Sequence, residues 1–377
     1  MAEPLKYIYD GMFLEQFAAR MKGAWSPFDE NRFLALVRGD DWESLELKAR
    51  TRRITESLGK TLPADYREAL DVLYLVDESC TGFPYLFFPD FVELFGMAEA
   101  DWTHSMEALE RFTQRSTAEY AVRPFILAQS ERMAAQLLKW AEHPNEHVRR
   151  LASEGARPRL PWAPALPMFK RDPSPVLPVL KRLKADPSLY VRKSVANHLN
   201  DIAKDHPDLV IGIAKRWKGD NPLTDWIVRH ACRTLIKRAD PEIMELFGYT
   251  GGGADAAPLV EEASLKLSRE VIALGEDVIL RYAFTPAGED GSGEPLKLRV
   301  EYGIDFVKSG GKTSLKRFLL SDREFEPGKR AEGTRTHRFA DLSTRKHYAG
   351  SHVFTLWVNG VEVARSGLML EDPKAGM

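Results

Sequence analysis

The residues with the clearest chemical potential lie in the segment 146–162, which reads EHVRRLASEGARPRLPW. It contains four arginines and two glutamates and ends at Trp162, a tryptophan set between Pro161 and Pro164. Cations, carboxylates and an aromatic plane on one surface can act on a nucleic acid. The same composition is also typical of a solvated helix end. The elements that position these residues are therefore needed to choose between the two interpretations.

Three polar ridges with three- to four-residue spacing run through this half of the chain. Their members are Arg115, Glu119 and Arg123; Arg150, Glu154 and Arg157; and Lys193, Asn197 and Asp201. Such spacing places side chains on one helix face, where ion pairs contribute only about 0.2–0.5 kcal/mol each. That is the simple explanation for any one ridge. The alternative is that Glu119, Glu154 and Asp201 converge from successive elements into one concavity.

An internal repeat favours the second explanation. Residues 143–155, 186–199 and 221–235 each open with an Asn-, Asp- or His-Pro turn and then carry a Val-Arg pair. The pairs begin at 148, 191 and 228, separations of 43 and 37 residues that are typical of HEAT-type helical hairpins. Stacked hairpins form a curved solenoid whose second helices line the concave surface. The sequence therefore predicts a HEAT-like α-solenoid over residues 1–250.

The periodicity changes after this region. Residues 251–257, within TGGGADAA, read as a linker, and residues 258–377 alternate apolar and polar positions as β-strands do. About seven short strands are predicted, with turns at 289–293 and at Asn359-Gly360, as expected for an immunoglobulin-like β-sandwich. The predicted strands are 263–267, 277–284, 296–306, 314–320, 336–340, 352–359 and 361–368.

Composition excludes several classes of protein. The 377 residues hold no apolar stretch long enough for a membrane helix and no secretory signal, and Cys80 and Cys232 lie far apart. Phosphate loops, metal-ligand spacings and nucleophile motifs are missing from the sequence, which predicts a cytoplasmic protein without cofactor or metal. Residues 145–240 hold 19 Lys and Arg against 10 Asp and Glu, a local charge of +9 in a chain of net charge −2. An anionic partner fits that asymmetry, although solvated helix faces are the plainer explanation of a basic stretch.

The sequence leaves two interpretations open for Trp162 and two for the basic residues of the sandwich. Trp162 could plug the end of the core, or its proline neighbours could hold the indole at the edge of a groove, where it can contact a base or a cation. The basic residues Lys308, Lys312, Lys316 and Arg317 could contact phosphates or form a solvated face of the sandwich.

At these residues the chain resembles DNA alkylation repair glycosylases of the AlkC group, within the wider AlkD-like HEAT-repeat superfamily. The resemblance lies in RSTAEYAVRPF (115–125), RRLASEGARPRLPW (149–162) and VRKSVANHLNDIAKDHP (191–207). In the sandwich it extends to segments 297–318 and 345–360. An immunoglobulin-like C-terminal domain occurs in a subset of this group, so the resemblance covers nearly the whole chain.

The resemblance implies a function and a set of site residues. It implies a monofunctional DNA glycosylase that excises cationic N-methylated bases, such as 3-methyladenine and 3-methylcytosine, without flipping them into a deep pocket. The implied catalytic residues are Glu119, Glu154, Asp201 and Trp162. The predicted DNA-binding residues are Arg123, Arg149, Arg150, Arg157, Arg159, Arg192, Lys193, Lys312 and Lys316.

The chemistry of such a reaction suits carboxylates. A methylated base already carries positive charge and leaves without a general acid, whereas the developing oxocarbenium sugar needs negative charge and a positioned water. We expect a monomer that acts on double-stranded DNA containing alkylated bases. The alternative from another class is a non-catalytic HEAT scaffold that binds DNA or a protein, with a sandwich that recruits a partner.

Overall fold

The computed structural model describes residues 4–251, 258–288, 293–341 and 345–372. These residues form α-helices up to Leu246 and β-strands from Val260 onward, which confirms the predicted fold class of a HEAT-like solenoid followed by an immunoglobulin-like sandwich. None of the described helices has the length and apolar character needed to cross a membrane. Most of the predicted linker, and most of the predicted turn at 289–293, fall outside the described residues.

The chain divides into two compact units, Met1–Ala231 and Cys232–Met377. The helices of the first unit are α1 (Gly11–Ala24), α2 (Glu30–Val37), α3 (Leu47–Gly59), α4 (Tyr66–Tyr74), α5 (Phe87–Phe95), α6 (Trp102–Thr113), α7 (Val122–Ala128), α8 (Ser130–Trp140), α9 (Glu146–Glu154), α10 (Pro167–Arg171), α11 (Leu177–Arg182), α12 (Leu189–Ile202), α13 (Pro207–Trp217) and α14 (Pro222–Ala231). The second unit opens with α15 (Arg233–Arg238) and α16 (Pro241–Leu246) and continues with the strands. The domain boundaries predicted from the sequence, 1–250 for the solenoid and 258–377 for the sandwich, remain a prediction.

The repeated Val-Arg pairs have a structural explanation. Each valine is buried against the neighbouring helices, and in the first two repeats the arginine turns back to the Pro-containing turn that precedes its own helix. Arg149 donates to the carbonyls of His143 and Pro144 at 3.0 and 2.7 Å. Arg192 donates to those of Asp186 and Pro187 at 2.7 and 2.8 Å. In these two repeats the Pro-containing turn is thus held by an arginine of the helix that follows it.

The second helices of successive repeats pack side by side, with α12 between α9 and α14. This is the arrangement expected of HEAT hairpins. Helix α9 begins after Asn145, whose side chain accepts a hydrogen bond from the amide of His147 at 2.8 Å, and it buries Val148 and Leu151. The carboxyl-terminal ends of α9 and α12 are thereby brought together.

One predicted helical ridge is wrong. Arg115, Glu119 and Arg123 do not share a helix, because α6 ends at Thr113 and the residues up to Ala121 form turns before α7. Arg157 likewise lies in the turn after α9, beyond the helix that carries Arg150 and Glu154. The apolar spacing continued across both breaks, since buried turns also place apolar residues toward the core.

The described strands of the second unit form two sheets. Their bounds are β1 (Val260–Leu267), β2 (Val271–Ala273), β3 (Asp277–Pro286), β4 (Leu296–Val307), β5 (Thr313–Phe325), β6 (Ala331–Arg338), β7 (Gly350–Val358) and β8 (Val361–Glu371). One sheet has the order β1-β3-β6 and the other β2-β8-β7-β4-β5. Apolar side chains from both sheets form one core that includes Leu298, Val300, Phe339 and Phe354.

All seven predicted strands are present, and the hairpin turn between β7 and β8 is confirmed. Asn359 and Gly360 both have positive φ, of 45° and 83°, as a two-residue turn of this kind requires. Strand β2, which pairs in parallel with β8, was not predicted from the sequence. Three residues are too few to display a period of two.

Candidate active site

Three buried carboxylates and three cations form a continuous chain of ion pairs in the first unit. Glu119, in the turn before α7, pairs with Arg150 at 2.7 Å and accepts a hydrogen bond from the hydroxyl of Thr117 at 2.8 Å. Arg150 also approaches Glu154, one helical turn further along α9, at 3.8 Å. Two of the three predicted acids therefore share one guanidinium.

Arg157 extends the chain to the third acid. Its Nη1 lies 2.7 Å from Oε1 of Glu154, and its Nε lies 2.9 Å from Oδ2 of Asp201 on α12. Lys204, three residues beyond Asp201, donates to the other carboxylate oxygen, Oδ1, at 2.9 Å. Convergence of the predicted acids is therefore present in the fold, although only Glu154 and Asp201 lie on helices.

Burial makes this network energetically demanding. The exposed fractions of Glu119, Glu154 and Asp201 are 8%, 6% and 2%. Removing an ion from water costs several kcal/mol, so buried carboxylates persist as ions only with close partners. Burial alone would lower the pKa of Arg150, but the carboxylates of Glu119 and Glu154 outweigh it and raise that pKa. The alternating charges therefore hold three carboxylates in fixed positions.

A neutral histidine joins the two helices that carry Glu154 and Asp201. The Nδ1 atom of His198 lies 2.9 Å from the carbonyl oxygen of Ser153, which joins α12 to α9. Complete burial lowers the pKa of His198 to about 4, so its ring is uncharged at neutral pH. His198 thus connects the two helices without adding charge.

Trp162 does not plug the core, because 62% of its surface is exposed. Its backbone has a φ of +61°, a left-handed conformation that costs an L-residue roughly 1–2 kcal/mol. The segment around it is fixed by hydrogen bonds: the Leu166 amide donates to the Pro158 carbonyl at 3.1 Å, and Nζ of Lys48 donates to the carbonyl of Trp162. The surrounding fold thus holds Trp162 in a strained backbone conformation with its indole exposed.

Known proteins match both units of the chain. A family model described as "DNA alkylation repair enzyme" matches residues 98–235, and one described as "Uncharacterised protein YhaZ, C-terminal Ig-like domain" matches residues 261–372. The uncharacterized protein YhaZ of Bacillus subtilis (strain 168) is 46% identical over 356 residues, which cover 94% of this chain and 96% of YhaZ.

A solved structure matches over almost the whole length. It is Pseudomonas fluorescens alkylpurine DNA glycosylase AlkC bound to DNA containing an abasic site analog, with a TM-score of 0.90 and 39% identity over 98% of this chain and 100% of that one. The chain belongs to the AlkC family. The segment matched by the DNA alkylation repair model contains Glu119, Glu154, Trp162 and Asp201, the four residues predicted to be catalytic in this AlkC-family protein.

The arginines predicted to line the groove of the AlkC-family chain have different surroundings. Arg150 and Arg157 belong to the acid network. Arg149 and Arg192 hold the turns of their repeats, and Arg149 is also paired with Asp186 at 2.7 Å. Arg159 is partly exposed and pairs with Asp205 at 2.6 Å.

The remaining predicted DNA-binding residues divide into one buried side chain and three exposed ones. Arg123 is only 1% exposed, so its guanidinium lies beneath the surface that a phosphate can reach, which corrects the expectation that it lines the groove. Lys193 is exposed on α12, and Lys312 and Lys316 are exposed on the sandwich. Partial burial, followed by the nearby cations Arg345, Lys237 and Lys308, lowers the pKa of Lys316, which marks a concentration of positive charge in the second unit.

Several residues around the site escaped the sequence analysis. Lys48 contributes a tether from α3, and its ammonium also lies 4.2 Å from the ring centroid of Tyr120. The ring of Tyr190 lies 4.6 Å from the guanidinium of Arg150. Only Lys204 had a local signal, its i, i+3 spacing from Asp201, because the other contacts join segments far apart in sequence.

Proposed function

We propose that this protein is a DNA glycosylase of base excision repair that hydrolyses the N-glycosidic bond of cationic N-methylated bases and leaves an abasic site. Its substrates would include 3-methyladenine and 3-methylcytosine in double-stranded DNA, and it would act as a monomer. The observation that carries the proposal is the set of three buried carboxylates held by arginines, in a member of the AlkC family whose same unit carries an exposed tryptophan.

The contacts provide a reason to rank the acids. Both oxygens of Asp201 are engaged, one by Arg157 and the other by Lys204. Both arginine contacts of Glu154 are made to its Oε1 atom. Among the described residues, no ion pair or hydrogen bond engages Oε2 of Glu154, which makes it the carboxylate oxygen best placed to meet a sugar cation or a water.

The roles of the residues follow from that geometry. Glu154 would face the developing oxocarbenium ion and orient the attacking water, while Asp201 would hold Arg157 and add negative charge nearby. Glu119 would fix Arg150 and assist through its charge. Because the leaving base is already cationic, neither a protonated acid nor a deep base pocket is needed. The exposed indole of Trp162 would contact the damaged nucleotide.

The exposed cations would supply the affinity for DNA. Lys193, Arg159, Lys312 and Lys316 are the accessible members of the predicted set, and phosphate contacts of this kind bind without sequence preference. Arg149 and Arg192 would contribute chiefly by stabilising the repeats, since their guanidinium groups already bind the turns.

Base release from alkylated DNA tests the proposal. Duplex DNA treated with a methylating agent should release 3-methyladenine with the wild-type protein, and Glu154→Gln should abolish release while binding to DNA is retained. The matched control is Glu142→Gln, because Glu142 is an exposed glutamate paired with Arg182 at 3.0 Å. A wild-type protein that binds DNA and releases no base would favour the non-catalytic scaffold.

A further inference from the structure

Arg123 is one of the largest fully buried side chains of the first unit, and its contacts are to main-chain carbonyls. Its Nη1 donates to the carbonyls of Gly155 and Arg157, each at 2.9 Å, and its Nε donates to the carbonyl of Pro164 at 3.0 Å. Among the described residues it has no carboxylate within ion-pair distance. A buried cation normally finds a carboxylate, so this exclusive attachment to one loop calls for an explanation.

The loop held by Arg123 is the one that carries Trp162. It runs from the end of α9 at Glu154 to the start of α10 at Pro167, and Pro158, Pro161 and Pro164 lack the amide hydrogens that would tie it to other elements. One rigid guanidinium fork binds the first residues of this loop, at Gly155 and Arg157, and its far side, at Pro164. Trp162 lies between the two anchored points.

Arg157 connects the same contact to the carboxylates. Its main-chain oxygen accepts from Arg123, while its side chain pairs with Glu154 and Asp201. Tight packing keeps Arg123 in register with the loop, because a Cβ on Gly155 would lie 2.4 Å from Cγ1 of Val122, the residue before Arg123. The position of Arg123 therefore affects both the loop that carries Trp162 and the arginine that pairs with Glu154 and Asp201.

We infer that Arg123 is a positioning residue of the reaction, which holds the loop 155–164 so that Trp162 and the Arg157-linked acids face the same damaged nucleotide. This role rests on the proposed function and replaces the predicted contact of Arg123 with DNA. A guanidinium suits it because a planar fork reaches several carbonyls at fixed angles, whereas an ammonium on a flexible stem reaches fewer.

The test compares Arg123→Lys with Arg132→Lys, a matched change at an exposed arginine of α8 that pairs with Glu99. Single-turnover release of 3-methyladenine at saturating enzyme should fall about tenfold or more in Arg123→Lys, because misplacement of catalytic groups by about 1 Å costs up to about 100-fold. The dissociation constant for undamaged duplex should change by less than about threefold, as phosphate contacts are untouched. Arg132→Lys should behave as the wild type.

A double variant separates positioning from general damage to the fold. In a Trp162→Ala background, Arg123→Lys should lower the rate much less than it does alone, because part of what it positions is already missing. An equal loss in both backgrounds would overturn the inference. A wild-type rate in Arg123→Lys would overturn it as well, whereas a wild-type protein without base release would overturn the proposed function instead.

Hydrogen exchange tests the positioning without any activity. Peptides covering 155–166 should exchange faster in Arg123→Lys than in the wild type, while peptides from α5 should be unchanged. Unchanged exchange over 155–166 would refute the role of Arg123 even if the protein is an active glycosylase. If Arg123→Lys fails to fold, the wild-type protein provides the test: the hydrogen-bonded amides of Arg157, Ala163 and Leu166 should be protected from exchange, and their exchange within seconds would overturn the inference.

Discussion

Replacing Arg157 by methionine removes the link between two buried carboxylates and should destabilise the first unit. Arg157 lies 2.7 Å from Glu154 and 2.9 Å from Asp201, and the exposed fractions of the three side chains are 9%, 7% and 3%. Breaking a buried pair by removing one partner costs about 3–5 kcal/mol, because the remaining charge is left buried. Arg150 and Lys204 remain beside the acids, so we expect the lower end, about 3 kcal/mol.

The matched control is Arg182→Met. Arg182 pairs with Glu142 at 3.0 Å, a similar distance, but the exposed fractions of those side chains are 58% and 59%. Exposed pairs contribute about 0–1 kcal/mol, so this variant should lose at most about 1 kcal/mol. The two substitutions therefore differ mainly in burial.

Urea unfolding followed by circular dichroism at 222 nm measures both variants. The helical signal reports the first unit, and a loss of about 3 kcal/mol corresponds to a roughly 150-fold change in its unfolding constant. Addition of Asp201→Asn to Arg157→Met should recover part of the loss, since one uncompensated charge is removed. If Arg157→Met and Arg182→Met lose the same stability, the reasoning about the acid network is refuted.

Three further predictions concern the indole, the cations and the buried histidine. Trp162→Gly should slow base release without abolishing it, yet raise the free energy of unfolding by roughly 1 kcal/mol, because glycine adopts the left-handed conformation without strain; a loss of stability in denaturant titration would contradict this. The double variant Lys312→Gln, Lys316→Gln should reduce the slope of log affinity for DNA against log salt by up to about 1.8, two contacts at about 0.9 each, and an unchanged slope would exclude both lysines from the interface. For His198, whose pKa is lowered by burial to about 4 from the ordinary 6.5, the unfolded chain binds more protons between these values. Its contribution to stability is therefore complete above pH 6.5 and is lost as the pH falls toward 4, so His198→Gln should flatten the decline measured by thermal unfolding, and an equal decline would contradict the assignment.

The architecture could be predicted from the sequence because the patterns that indicate it are local and repeated. The turn-Val-Arg pattern returns three times, and the wall of α9, α12 and α14 follows from it. The change from a helical to a strand period located the sandwich. Strand β2 had no such signal, because its pairing with β8 joins residues about 98 positions apart and only three residues take part.

The site was less predictable than the fold. Glu119, Glu154 and Asp201 were named together, but the i, i+4 argument for Glu119 was wrong, since that residue reaches the network from a turn. Arg123 looked like any other cation in the sequence, and its burial depends on the return of the chain at Pro164, 41 residues later. Contacts between distant segments, such as that of Lys48 with Trp162, produce no periodic pattern in the sequence from which they could be predicted.

Base release from methylated duplex DNA, compared between the wild type and Glu154→Gln, is the most direct test of the proposed glycosylase activity. Liquid chromatography with mass spectrometry identifies the free bases, and DNA binding is measured in parallel by fluorescence anisotropy. We expect free 3-methyladenine with the wild type, none above background with Glu154→Gln, and similar affinity for DNA in both. This expectation would be contradicted by undiminished release from Glu154→Gln, or by a folded, DNA-binding wild type that releases no base.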